Sequence, residues 1–247
     1  MVGLGTIVNV IAIIAGGALG LLLKRVLTIG LVEAIKQALG LGVLVVGLTG
    51  TIGAMLKSDG GELSSRYMLL VIISLALGAL IGHLLKIEDG IENGSRKIEE
   101  KFIKPDQTSS FAEGFITASL LFCIGSMAII GAIEDGIHSD ETILFAKSTL
   151  DAISAMVFAS ALGVGVLFAS IPVAIYQGLL TALAVIIAPY LTPELTSQIS
   201  AVGSVMIIAM GLNMLGVTKI KVSNNIPAIF IPVIYHLFEL LYHAIFK

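Results

Sequence analysis

Lys147 and Asp151 stand four residues apart inside an apolar run, which places an ammonium and a carboxylate on one face of a helix. Just upstream, Glu134-Asp135-Gly136 closes another apolar run with two more carboxylates. Three carboxamides, Asn9, Gln177 and Asn213, fall within apolar stretches of their own. Each brings two donors and an acceptor, and in a water-poor interior such groups must be paired or face a polar cavity. Together these side chains could hold a cation, relay a proton or hydrogen-bond a small polar solute. We expect Asn9, Gln177 and Asn213 near the middle of the molecule, and Asp151, Glu134 and Asp135 at an outer mouth as cation or proton ligands. A plainer reading stands beside it: carboxamides also cross-link helices, and an aspartate near a helix N-terminus is favoured by the helix dipole alone.

The elements that must position these groups follow from composition. Apolar residues make up 57% of the 247, and charged residues only 13%. The mean hydropathy is +1.04. A soluble domain carries roughly a quarter charged residues, so lipid is the expected solvent. Runs at 4–23, 38–56, 67–85, 115–133, 152–170, 171–191, 199–217 and 226–246 each approach the ~20 residues of a spanning helix. The expected fold is an all-α bundle of about 7–8 transmembrane helices in a single integral membrane domain. The stretch 147–191 has no polar loop, so its turn belongs either at Ser170-Ile171-Pro172 or at Gly163-Val164-Gly165, the latter giving a broken or re-entrant helix. The last run carries Tyr235, His236, Glu239, Tyr242 and His243 and could instead lie along the lipid surface. Barrel strands alternate over ~10 residues, unlike these continuous runs. The N-terminus has neither a basic cleavable leader nor the glycine that myristoylation needs.

Basic residues divide unevenly. Lys24, Arg25 and Lys36 follow the first run; Lys86, Arg96, Lys97, Lys101 and Lys104 follow the third; Lys219 and Lys221 follow the seventh. The other side keeps Lys57, Arg66, Lys147 and Lys247. Positive loops stay cytoplasmic, so both termini are expected outside. The loop 86–110 repeats Ile87, Ile91, Ile98 and Phe102 among charges and ends at Pro105, the pattern of an amphipathic helix on the cytoplasmic surface or a docking element.

The chain also repeats itself. Gly16-x3-Gly20 precedes Leu21-Leu22-Leu23-Lys24, and Gly78-x3-Gly82 precedes His83-Leu84-Leu85-Lys86. Gly47 and Gly53-Ala54 match Gly125 and Gly131-Ala132 in the helices that follow. This suggests helix-pair copies at 4–56 and 67–133, with a fainter third within 152–217, where Ala161, Gly165, Gly211 and Gly216 recur. Small-xxx-small spacing lets helix backbones approach closely in lipid, within the bundle or across a homodimer seam.

Other chemistry finds little support. No phosphate-binding loop, dinucleotide fingerprint, zinc-protease helix or serine-hydrolase elbow occurs. Cys123 is the only cysteine, expected as a packing residue, so no thiolate metal site can form. His83 and His236 are expected as interfacial hydrogen-bonding residues. An enzyme built on Glu134, Asp135 and His138 would lack a nucleophile, so no catalytic role, cofactor or metal is expected, and no nucleic-acid partner.

Several strings resemble a known family: Gly5-Thr6-Ile7-Val8-Asn9, the segment from Phe122 to Gly136, Lys147 to Asp151, Tyr176-Gln177-Gly178, and Gly211-Leu212-Asn213-Met214-Leu215 with Lys219-Ile220-Lys221-Val222 and Pro227-Ala228. They are similar to the YdfK/YqgA-type group of bacterial multi-pass membrane proteins, a domain of unknown function. The resemblance implies a bacterial inner-membrane protein related to transport, and assigns no substrate or functional residue. The leading expectation is a secondary transporter or channel for a small solute or ion. The alternative is a non-transporting scaffold or signalling protein acting through 86–110.

Overall fold

A computed structural model describes residues 1–24, 28–59, 62–102, 111–124 and 126–246. Arg25, Lys104, Pro105, Gly125 and Lys247 lie outside the described residues. The chain is an all-α bundle. Among the described residues, five helices are individually long and apolar enough to cross a membrane, and up to seven segments qualify when each of two bent pairs counts as one span.

Three close helix pairings organise it. α1 (Leu4–Lys24) turns Asn9, Ile13, Gly16, Gly17 and Gly20 inward, at steps of three and four. It leaves Ile7, Ile11, Ile14, Leu19 and Leu22 outward, as lipid requires. Its partner is α7 (Thr142–Leu162). A Cβ at Gly16 would lie 2.1 Å from the Ala152 carbonyl oxygen, and one at Gly20 2.2 Å from that of Met156. Contacts rise in the same order along both helices, so α1 and α7 run parallel.

The second pairing joins α2 (Ile29–Met55) to α11 (Pro193–Met214). Gly40 meets Leu215, Gly47 meets Ile208 and Gly50 meets Ser204, which is antiparallel order. Thr28 and Thr192 cap the two N-termini, each accepting from the backbone N–H three residues on. In the third, α3 (Met68–Leu84) lays Gly78 and Gly82 against Ala228 and Asn224 of the 3-10 segment Val222–Phe230, again antiparallel. Both Gly-x3-Gly strings thus serve backbone contact within the chain, but against partners of opposite direction.

Two expectations are corrected and one open alternative is decided. The run 115–133 is not one straight helix. It is α5 (Phe111–Cys123) and α6 (Ser126–His138), with axes 58° apart. The fifth span starts at Thr142 rather than 152. It ends at Gly163, whose φ of +85° suits glycine. The turn is therefore at Gly163-Val164-Gly165, not at Pro172. The chain then descends through α8 (Gly165–Phe168), α9 (Ser170–Ala182) and α10 (Ala184–Ile187). Pro172 occupies the first turn of α9, where its missing N–H has no intrahelical partner to lose.

The remaining elements join these. An antiparallel hairpin, β1 (Leu56–Asp59) and β2 (Glu62–Ser65), links α2 to α3. The amphipathic α4 (Ile87–Phe102) leaves α3 at 59°. Its Glu88 carboxylate accepts from Asn224 at 3.1 Å and lies 3.3 Å from the Lys221 ammonium. Beyond the 3-10 segment, α12 (Ile231–Phe246) runs back toward the N-terminal end of α11. Traced through these pairings, Lys24, Lys36, Lys86, Lys219 and Lys221 gather at one end of the bundle. Met1, the hairpin, the α6–α7 turn and Glu194 gather at the other.

Candidate functional site

The site forms where the inward faces of α1, α7, α9 and α6 meet. Asn9 sits on the packed face of α1 and is fully buried. Its Nδ2 donates to Asp151 Oδ2 of α7 at 3.0 Å and to Gln177 Oε1 of α9 at 3.2 Å. Lys147, one turn before Asp151 on the same helix, donates to the same carboxylate oxygen. Its ammonium also lies 5.8 Å from the ring centroid of Phe122 on α5. All four polar side chains are buried. One carboxamide, contributed by the helix that packs closest to α7, therefore bridges an ion pair to a second carboxamide.

Polar atoms without partners give the cluster its direction. Asn9 Oδ1 and Gln177 Nε2, an acceptor and a donor, have no hydrogen bond among the described residues. The same holds for Thr6 Oγ1, three residues earlier on α1, and Thr181 Oγ1, one turn later on α9. Asp135 continues the series on α6. Its Oδ1 accepts from the Gly3 N–H at 3.1 Å, and its Oδ2 has no partner among the described residues. The Thr181 carbonyl oxygen lies 2.4 Å from where a Gly136 side chain would begin, so α9 and α6 touch there backbone to side-chain position. A column of unsatisfied groups thus leads from Asn9 to the end of the bundle that carries Met1.

At that end the surface is acidic. His138 Nδ1 lies 2.7 Å from Glu134 Oε2. The Met1 ammonium bonds Glu141 at 2.9 Å and holds that carboxyl below its usual range. Asp140 is held low by the Thr142 hydroxyl and backbone N–H. Behind Gln177, its neighbour Tyr176 faces an apolar cavity of about 250 Å³, shared with Cys123 and Ile124 at the end of α5 and with Pro172. Among the described residues, no group of three or more His, Cys, Asp or Glu side chains converges as a metal site would require.

The structure brings together Asn9, Gln177 and Asp151, with Asp135 toward the mouth. It does not bring Asn213 there. That residue lies in the last turn of α11, where its Nδ2 donates to the Ile220 carbonyl at 2.7 Å. Its Oδ1 accepts from Thr218 and from the Ile220 N–H. Asn213 fastens the turn at the basic end. Asp151 also differs from expectation: with α7 starting at Thr142, it lies about 14 Å along the helix, at the depth of Asn9 rather than at the mouth. Glu134 stays at the mouth, paired with His138. Lys147 belongs to the cluster, as its i,i+4 spacing to Asp151 hinted. Thr6 and Thr181 carried no signal beyond lying three and four residues from the two carboxamides.

A family model described as "Protein of unknown function (DUF554)" matches residues 4–237. The chain belongs to this family. It is 33% identical over 228 residues to the "Uncharacterized membrane protein YdfK" of Bacillus subtilis (strain 168), covering 92% of this chain and 93% of that one. To the "Uncharacterized protein YqgA" of Escherichia coli (strain K12) it is 32% identical over 229 residues, with 92% and 93% covered. No solved structure matches the chain. The site thus lies in a membrane protein of unknown function, and the family match over residues 4–237 covers the helices that build it.

Proposed function

We propose that this protein is a secondary transporter or channel moving a small solute or ion across the bacterial cytoplasmic membrane, with the Asn9–Gln177–Asp151–Lys147 cluster as its binding point. One observation carries the reading. Beside a buried ion pair, an acceptor on Asn9 and a donor on Gln177 are left unpaired. An unsatisfied buried polar atom costs about 1–3 kcal/mol, which a purely cross-linking network would have relieved. A solute with one donor and one acceptor, or a hydrated ion, would satisfy both. The unpaired groups on Thr6, Thr181 and Asp135 supply steps toward the acidic mouth. The break between α5 and α6 provides a joint beside the cavity. No energy-coupling motif occurs in the chain, so a gradient would drive it.

Proteoliposomes test this with a panel of protons, alkali cations, amino acids and small organic acids, with and without imposed gradients. Wild-type protein should move at least one of them. Asn9→Leu and Gln177→Leu should each slow that flux about tenfold or more, whereas Asn213→Leu should lower the melting temperature and spare the flux. A panel uniformly silent with folded protein would sink the reading and favour the scaffold role of 86–110.

The same reading puts the basic end in the cytoplasm. Single cysteines replacing Lys24, Lys86 and Lys219 should label only from the cytoplasmic side, and one replacing Glu141 only from outside. Labelling of Lys24 and Lys86 positions from opposite sides would overturn the topology.

A further inference from the structure

A second cavity, remote from the cluster, opens between α3, α12 and the start of α11, with a volume of about 800 Å³. Its two halves differ in chemistry. Leu70, Ile73, Leu77, Ile231 and Ile234 make the lower walls apolar. The rim carries two carboxylates, Glu194 and Glu239, and two phenol rings, Tyr67 and Tyr235. Among the described residues no lysine or arginine lines it.

Two carboxylates and a carboxamide oxygen supply acceptors to the cavity. Glu194 Oε1 receives the Tyr67 hydroxyl at 3.2 Å and lies 3.5 Å from the Arg66 guanidinium, which itself covers the Tyr67 ring at 4.9 Å from its centroid. Glu239 Oε2 stands 3.8 Å from His236 Nδ1, beyond hydrogen-bond reach. Gln198 lines the same cavity and is only 8% exposed, yet its Oε1 has no partner among the described residues. A buried carbonyl oxygen left open in a cavity rimmed by carboxylates awaits a donor or a positive charge. The Tyr67 hydroxyl is the donor in its bond to Glu194. The Tyr67 backbone takes a φ of +62°, which non-glycine residues seldom adopt.

We propose that this cleft binds an organic cation with an apolar body: the charge meets the Glu239 carboxylate, the ring of Tyr235 and the open Gln198 oxygen, with Glu194 shared with Arg66, and the body lies against the α3 and α12 walls. Carboxylates with aromatic faces recognise bulky cations that hold few hydrogen bonds to water. An anion would meet two like charges, and a small hydrated cation would gain nothing from the apolar walls. The site neither shares residues with the Asn9 cluster nor depends on transport.

The probe is tetraphenylphosphonium, with tetraphenylborate as a control of matching size and opposite charge. Equilibrium dialysis against the full chain in non-ionic detergent should give saturable phosphonium binding at least about tenfold tighter than borate binding. Glu194→Gln with Glu239→Gln should weaken it about tenfold or more, and Gln198→Leu by a smaller factor. Glu239→Gln alone, which removes no hydrogen bond among the described residues, should weaken it several-fold and keeps the test readable should the double variant misfold. Asn9→Leu should leave it unchanged, so failure here is distinguishable from failure of the transport reading. Displacement by phosphatidylethanolamine but not phosphatidylglycerol would identify the cation as a lipid head group; no displacement by either would identify a free cation. Equal binding of borate, or full phosphonium affinity in the folded carboxamide variants, would overturn the proposal.

Discussion

Asp151→Leu alone should destabilise the protein by about 3–5 kcal/mol, and Lys147→Met alone by a similar amount, whereas the double substitution should recover most of the loss. Each single change strands one charge in a buried site that its partner had compensated. Removing one member of a buried pair leaves an uncompensated charge, while replacing both by apolar side chains of similar volume is often neutral or better. Here the double variant also takes Asp151 Oδ2 from Asn9 Nδ2, which keeps its bond to Gln177. That loss is worth about 1 kcal/mol, so recovery should be large but incomplete. Thermal unfolding of the purified protein in detergent measures all three variants. A double variant as unstable as either single one would mean that the two charges do not compensate each other. The recovered variant is also the sharpest functional probe: it should fold and carry no flux, because the binding point has lost its charges but not its frame.

Much of this arrangement was legible in the sequence, for identifiable reasons. The end of α1 was marked by Lys24 after an unbroken apolar run, and the gathering of Lys24, Lys86 and Lys219 at one end follows the expected charge asymmetry. Asn9 and Gln177 stood out because a carboxamide in an apolar helix needs a reason, and they do meet. Asn213 stood out by the same rule and proved to hold a turn. Its sign was Gly216, three residues on with a φ of +73°, which marks a helix end and places Asn213 in the last turn rather than at depth. The depth of Asp151 was underestimated because Lys147 and Asp151 themselves lower local hydropathy, so the apolar window opened ten residues after the helix does. The kink between α5 and α6 left almost no trace, since both halves are equally apolar and periodicity does not record a bend. The parallel pairing of α1 with α7 was not legible at all. Sequence shows that Gly16 and Gly20 invite a close partner, but which helix answers is a matter of long-range packing.

That pairing sets the second large effect. Gly16→Ala combined with Gly20→Ala should destabilise the protein by about 3 kcal/mol or more, beyond ordinary overpacking. The added methyl groups would stand 2.1 Å and 2.2 Å from carbonyl oxygens of Ala152 and Met156. Those atoms are helix backbone and cannot rotate aside, so the two helices must separate. Gly82→Ala should behave alike, at 2.0 Å from the Asn224 carbonyl oxygen. The controls come from the same protein. Gly42 and Gly53 of α2 and Gly178 of α9 have nothing within 4 Å of an added Cβ. Alanine there should be neutral or stabilise slightly, since it is the better helix former by up to about 1 kcal/mol. Unfolding measurements on the two sets separate close packing from helix propensity, and equal losses in both would show that the α1–α7 contact is not what the glycines serve. The functional consequence follows from geometry. Asn9 reaches Asp151 at 3.0 Å because α1 touches α7 backbone to backbone. A separation of about 1 Å would stretch that hydrogen bond past its useful range, so a milder single variant, Gly16→Ala, should lose flux before it loses its fold.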